Sequence, residues 1–361
     1  MARHFHLSAR PTHYFFVLML TMLLNGCGRP AGIIFEQFTT PLVWPQSSAI
    51  DPIGTQPRIH YIGQLIGSES LKPAVTGMQA LGQIVFGKES SHTMLTPFAV
   101  CTDGADRVFV ADSNAQCVHV FNLKTRTYQR WTPPADKPQF AQPVGIAYDP
   151  IGQVIVSDSV AGELFIFDDQ GNFQRTVGKN ILSRPCGLTI HPTTRQLIVA
   201  DAALHQILVF TPNGQLMTKI GKRGNANGEF NFPIDVAIGK QGQIYVCDTL
   251  NFRIQTFNPD FTFNNTFGSK GDMPGTFSQP KSIATDSEGH LYVLDAHFEA
   301  IQIFDDQNNI LLSFGQEGRG PGEFWLPTNI FIDANNRIWI ADSYNRRIQV
   351  LDYLPLSEAL K

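Results

Sequence analysis

The chain is patterned in short apolar runs rather than long amphipathic stretches. From residue 97 onward, runs such as IAYD, VIVSD and LFIFD, and later VAIG, IYVCD and IQTFN, are separated by Gly, Asn or Asp turns. Brief runs rich in β-branched and aromatic residues, bounded by turn formers, predict strands. The runs also recur in register. Pro97, Pro143, Pro185, Pro233, Pro280 and Pro327 open successive units at spacings of 46, 42, 48, 47 and 47 residues. Asp112, Asp158, Asp201, Asp248, Asp295 and Asp342 follow their prolines by 15 or 16 residues, so two registers are locked together.

Each unit carries four strand-like runs, which describes one four-stranded antiparallel blade. A blade with two apolar faces cannot bury them alone, whereas blades stacked around an axis bury both and leave few edges. The expected fold is all-β, a six-bladed propeller over 58–353 with repeats starting near 97, 143, 185, 233, 280 and 327. The last unit ends about nine residues after its third strand, so another segment must supply its outer strand. The region 58–67, with Ile59 to Ile66 leading into Gly67, alternates suitably; 83–87, with Gln83 to Phe86 before Gly87, is the rival.

Composition adds that only 16% of residues are charged, against about 25% in average soluble domains, while 27 Phe supply core material. Beyond residue 26 the chain has 25 basic and 31 acidic residues, so nucleic acid is not an expected partner.

The amino terminus predicts export. Arg3 and Arg10 precede the apolar run Tyr14 to Leu24, which is too short to cross ~30 Å of hydrocarbon as a helix and suits a signal peptide over 1–26. Leu24-Asn25-Gly26-Cys27 resembles the bacterial lipobox, which implies a mature chain beginning at a lipid-bearing Cys27, held on a membrane without a transmembrane helix. Gly28, where an Asp would favour retention, points by the same resemblance to the outer membrane. Residues 27–57 read as a flexible tether and 354–361 as a tail, with the domain in the periplasm or at the cell surface.

Within the repeats, Asp248-Thr249-Leu250-Asn251-Phe252-Arg253-Ile254-Gln255 and Asp342-Ser343-Tyr344-Asn345-Arg346-Arg347-Ile348-Gln349 resemble the D-[ST]-x-N-x-R-[IV]-Q core of the NHL repeat family. The linkers GKRGNANGEFNFP, GSKGDMPGTFSQP and GQEGRGPGEFWLP are similar to its G-x-x-G-x-x-x-G-x-F-x-x-P pattern. Blades one to three depart from it, with Cys117, Leu164 and Ile207 read at the Arg position. The six repeated Asp are expected to cap backbone amides rather than catalyse, and Arg253 and Arg347 to pair with a neighbouring blade.

A functional site should break the repeat. The residues just after each proline, Phe98, Val144, Cys186, Ile234, Lys281 and Thr328, are expected at the channel mouth. The related peptidyl-hydroxyglycine lyases carry zinc-binding His there, and this chain has none. Asp235 and Asn329, with Ser282 between, are the candidates for a divalent cation, though few for a hard ion; no metal or other cofactor is expected. His92, His119, His191, His205, His290 and His297 share no repeat position and are expected at surfaces or turns. Cys101, Cys117, Cys186 and Cys247 are expected as buried small side chains, with Cys186 the one candidate reactive thiol. Lys281 is expected either to orient an acidic ligand or to pair with Asp235 across the channel. Basic loops (Lys222, Arg223, Lys270, Arg319, Arg253, Arg346, Arg347) and opposite acidic turns (Asp149, Asp168, Asp169, Asp286, Asp305, Asp306, Asp333) predict a polarised molecule. The expected function is an envelope binding or scaffold module for a protein, peptide or glycan, using the loop face. The alternative is a periplasmic metal-dependent hydrolase or lyase with its site at the channel mouth.

Overall fold

The computed structural model describes residues 42–44, 57–71 and 92–354. The signal segment 1–26, Cys27, the rival strand at 83–87 and residues 355–361 lie outside the described residues.

The strands form six antiparallel sheets, five of four strands and one of five. In each sheet the chain runs strand to adjacent strand, from an inner strand beside the axis to an outer one. The inner strands are Pro97–Thr102, Pro143–Asp149, Pro185–Ile190, Pro233–Ile238, Pro280–Thr285 and Asn329–Ile332. Each lies beside the next, and the sixth lies beside the first, so the ring is closed. This is a six-bladed β-propeller.

The sixth blade is completed from the other end of the chain. Ile59–Leu65 pairs antiparallel with Arg347–Tyr353, Ile59 opposite Tyr353 and Leu65 opposite Ile348. The alternation of buried and half-buried residues along Ile59–Leu65 is what an outer strand with one covered face requires. A further short strand, Val43–Trp44, pairs outside it, and the Trp44 ring packs 5.9 Å from that of Phe314. Two residues of the segment expected as a flexible tether over 27–57 thus pair as a strand. The outer strand would otherwise present a bare edge of backbone donors and acceptors, and two apolar residues cover part of it.

The core consists of apolar clusters between blades. Ile198, Val209, Val236 and Val246, for example, join blades three and four, while Val100, Val110, Trp339 and Ile348 join one and six. The recurring linker phenylalanines Phe230, Phe277 and Phe324 are fully buried, each adding about 2–3 kcal/mol of apolar burial. Their rings lie against Gly221, Gly268 and Gly315, where a Cβ would collide with the ring and where φ is 84°, 89° and 97°. Glycine meets both demands, which accounts for the Ile-Gly and Phe-Gly endings of these units.

The six repeated aspartates are all fully buried and hold the loops that join blades. Asp158 accepts the amides of Ala141 and Gln142 before the inner strand, and those of Val160 and Ala161 in its own turn. Asp295 does the same with Ser278, Gln279, His297 and Phe298. In blades four and six the carboxylate also takes the Arg: Arg253 Nε is 2.8 Å from Asp248 and Arg347 Nε 2.7 Å from Asp342. These arginines were expected to pair with a neighbouring blade. Instead they bind their own blade's Asp and the linker carbonyls of Ala226 and Glu229, or of Arg319, Gly320 and Glu323. The strand pairing also corrects the alignment of blades two and three: Glu163 and Gln206, not Leu164 and Ile207, stand opposite the repeated Asp.

Candidate functional site at the channel mouth

In five blades the ladder between the first two strands slips immediately after the proline. Pro97 faces Asp112 and Ala99 faces Ala111, leaving Phe98 as an extra residue; the same slip frees Val144, Ile234 and Lys281, and in blade three both Cys186 and Gly187. A bulge of this kind bends the strand and re-aims the unpaired side chain. The result is that Phe98, Val144, Cys186, Ile234, Lys281 and Thr328 all line one cavity of about 290 Å³ at the loop-face mouth of the channel. Gln142, Ser159, Arg184 and Phe232 from the surrounding loops complete its rim. The sequence identified the ring but missed these four, which precede the proline or follow the repeated Asp and carry no repeat-breaking motif.

Beneath the ring, residues two after the proline form a hydrogen-bonded chain from blade to blade. Ser282 Oγ donates to Asp235 Oδ2 at 2.5 Å, and Asn329 Nδ2 donates to Ser282 Oγ at 3.1 Å. Asn329 Oδ1 in turn accepts the Val100 amide of blade one at 3.0 Å. Asp235 also accepts the amides of Val236 and Ile283, and its oxygen sits where Gly187 of blade three lacks a Cβ. Burial lifts its carboxyl to about 6 despite these donors. The three residues read as cation candidates therefore face one another and the backbone, and their oxygens are committed to joining blades. Among the described residues no group of three or more His, Cys, Asp or Glu is placed to hold a metal ion.

Of the two readings given to Lys281, pairing with Asp235 is not what the structure shows. One Asp235 oxygen is taken by Ser282 and the Ile283 amide and the other by the Val236 amide of its own blade, and Lys281 does not project freely into solvent. Its Nζ lies 5.6 Å from the centroid of the Phe98 ring across the mouth, and burial lowers its pKa. Cys186 is half-buried and burial pushes its thiol up to about 11, so it is not an activated nucleophile. Cys101, Cys117 and Cys247 are buried and unbridged.

Of the histidines expected at surfaces or turns, His119 lies instead in the strand Cys117–Asn122 and is buried, while His205 sits in a turn as expected and is buried there. His119 contacts Asp112 through Nε2 at 3.2 Å and the Tyr128 hydroxyl through Nδ1 at 2.6 Å; His205 packs against Phe232 and accepts its amide. The expected charge polarity is weakened on both faces. Arg253 and Arg347 are drawn inward, while Asp149 and Asp169 on the opposite face are paired by Arg195 and Arg107.

Residues 188–267 and 276–354 match the model of a family described as a 6-bladed beta-propeller, in agreement with the fold. Over 128 residues, 35% of the chain, the sequence is 27% identical to the protein named brain tumor of Drosophila melanogaster, of which the match spans only 12%. Among solved structures, the fold is similar to virginiamycin B lyase from Staphylococcus aureus, with TM-score 0.55 and 16% identity over 72% of this chain and 96% of that one. It is similar also to an auxiliary nutrient binding protein from Bacteroides thetaiotaomicron, with TM-score 0.57 and 13% identity over 72% of this chain and 69% of that one. At such identities the likeness is one of fold.

Proposed function

We propose that this chain is a binding module of NHL type, displayed from the bacterial cell envelope through a lipid on Cys27, and that its loop-face mouth receives part of a protein, peptide or glycan. The observation that carries the reading is the convergence on one cavity of five bulge-projected, mostly apolar side chains, joined by Thr328 of blade six. No activated nucleophile and no metal-ligand group accompanies them among the described residues. Concave, largely apolar cavities with a few polar groups are the usual form of a recognition site. The Asp-Thr-Leu-Asn-Phe-Arg and Asp-Ser-Tyr-Asn-Arg-Arg turns support the NHL assignment, and the lipobox-like junction supports the address. No helix among the described residues is long and apolar enough to cross a membrane.

A metal-dependent hydrolase or lyase is the second reading. The fold likeness to virginiamycin B lyase favours it; the commitment of Asp235, Ser282 and Asn329 to inter-blade hydrogen bonds weighs against it.

A thermal-shift screen of the purified chain against peptides, oligosaccharides and small organic acids tests the proposal. Ligands that raise the melting temperature should lose that effect in Ile234→Asp and be recovered chemically unchanged. Conversion of the ligand to product, or shifts that survive Ile234→Asp, would overturn it.

A further inference from the structure

The mouth holds two cations without an acid to balance them. Arg184 and Lys281 both line the cavity, and among the described residues neither side chain makes an ion pair. They are close enough for the Arg184 charge to disfavour the Lys281 ammonium, and no carboxylate offsets it. Asp235, the one acid in the lining, is not the missing partner: one oxygen is taken by Ser282 and the Ile283 amide, the other by the Val236 amide. Lys281 is half-buried and Arg184 stands exposed at the rim, and a half-buried cation facing a cavity is costly unless something negative arrives. On the rim, Gln142 accepts the Ser159 hydroxyl at 3.1 Å through Oε1, and its Nε2 makes no hydrogen bond among the described residues. The large apolar side chains of the walls include Phe98, Val144, Ile234 and Phe232.

We propose that the mouth is a carboxylate site, in which Arg184 and Lys281 hold the carboxylate of a ligand whose apolar body lies among Phe98, Val144 and Ile234. The inference rests on the binding reading above and names the chemistry it selects. Arg offers a planar fork matched to a carboxylate and Lys a point charge, and charge-assisted hydrogen bonds in a cavity walled by apolar side chains are the strong ones. The apolar walls favour an organic acid over inorganic phosphate, which has no apolar part to bury. The acid has two sources: a free organic acid, or the terminal carboxylate of a peptide ending in an apolar residue.

The test is titration calorimetry of the full chain with phenylacetate, phenylacetamide, inorganic phosphate and a short peptide ending in Phe, free or amidated at its carboxyl terminus. Phenylacetate is expected to bind at least ten-fold more tightly than its amide and than phosphate. Lys281→Met and Arg184→Gln should each weaken it ten-fold or more while melting at the wild-type temperature, and Lys222→Glu with Arg223→Glu on the outer loop should leave it unchanged. A free-carboxylate peptide binding better than phenylacetate assigns the site to protein termini, and the reverse order assigns it to free acids; both outcomes support the inference. Equal binding of acid and amide would overturn it while leaving the mouth as a binding site. Equal binding of phosphate and phenylacetate, or undiminished binding by both single variants, would also overturn it. Absence of any binding by these probes, with no hit in the thermal-shift screen sensitive to Ile234→Asp, removes both this inference and the binding reading.

Discussion

Ser282 Oγ stands 2.5 Å from Asp235 Oδ2 and donates to it across the boundary between blades four and five. Asn329 repeats the move from blade six to five, and its carbonyl oxygen holds the Val100 amide of blade one. Four of the six blades are thus tied at the waist of the channel by side chains two residues after the repeat proline. Because Asp235 is buried and its carboxyl lies near 6 rather than at the ordinary 3.8, the folded chain keeps a proton between those values that the unfolded chain has released. Its contribution to stability is therefore full below about pH 4 and declines by about 3 kcal/mol as pH rises past 6. Urea unfolding across that range should show the decline in the wild type and a flatter profile in Asp235→Asn; superimposable profiles would refute the assignment.

The same sign is expected at His119, in a more alkaline window. Burial alone would lower its pKa, but the hydrogen bonds and charges of Asp112 and Cys117 together outweigh burial and raise it to about 9. The imidazolium thus stabilises the fold fully below its unfolded value of 6.5 and loses that effect as pH climbs through 9. In blades four and six the equivalent positions are Gln255 and Gln349, which donate to Asp248 and Asp342 without titrating. His119→Gln should therefore remove the alkaline loss between those limits, measured as melting temperature against pH.

Arg347 and Lys222 both make ion pairs, with very different consequences. Arg347 is buried, bonded to Asp342, to three linker carbonyls and to Gln64 of the closing segment. Arg347→Met strands the Asp342 charge and should cost about 3–5 kcal/mol. Lys222 meets Glu229 at 3.2 Å with most of its side chain in solvent, so Lys222→Ala should cost under about 1 kcal/mol. Comparable denaturation midpoints for the two variants would contradict this ranking.

Truncation separates the two strands contributed by the amino-terminal segment. Trp44→Ala removes a half-buried ring packed on Phe314 and should cost about 1–2 kcal/mol, less than the 3–5 kcal/mol typical of a fully buried Trp. Removing the chain through residue 66 takes away Ile59–Leu65 and bares Arg347–Tyr353, so a large fall in melting temperature with aggregation is expected. Light scattering during a thermal ramp distinguishes the two.

For the proposed address, Cys27→Ser should abolish labelling by a radioactive or clickable fatty acid and move the protein from the membrane to the soluble fraction. Retention on membranes after a high-salt wash would refute the lipid anchor.

Most of the architecture was legible because it is written in repetition. Pro and Asp in two locked registers mark strand starts and strand ends, and the missing outer strand of the last unit pointed to its replacement at Ile59. What the sequence concealed depends on contacts between distant repeats. The alignment at Glu163 and Gln206 was by contrast legible, since each follows its Asp by five residues as Arg253 and Arg347 do. Asp235, Ser282 and Asn329 looked like scattered oxygens suited to a cation. Only the closure of the ring shows that each faces the next. His119 sits inside the apolar run Cys117 to Phe121, which hints at burial; its place opposite Arg130 and against Tyr128 comes from strand pairing.

The pairing of Ile59–Leu65 with Arg347–Tyr353 also fixes an order of events. On a ribosome or in an export channel the first of these strands emerges long before the second, separated by some 280 residues of intervening chain. Five blades can assemble while Ile59–Leu65 waits with the edge that will meet Arg347–Tyr353 open, and contacts of such sequence separation are slow to form and open to mispairing meanwhile. Folding therefore contains an interval in which the chain is nearly complete yet unsealed, when proteases, holding chaperones and other copies of the same strand all compete for one segment. Variants that weaken this strand should reveal themselves first as lower yield, before any loss appears in the finished molecule.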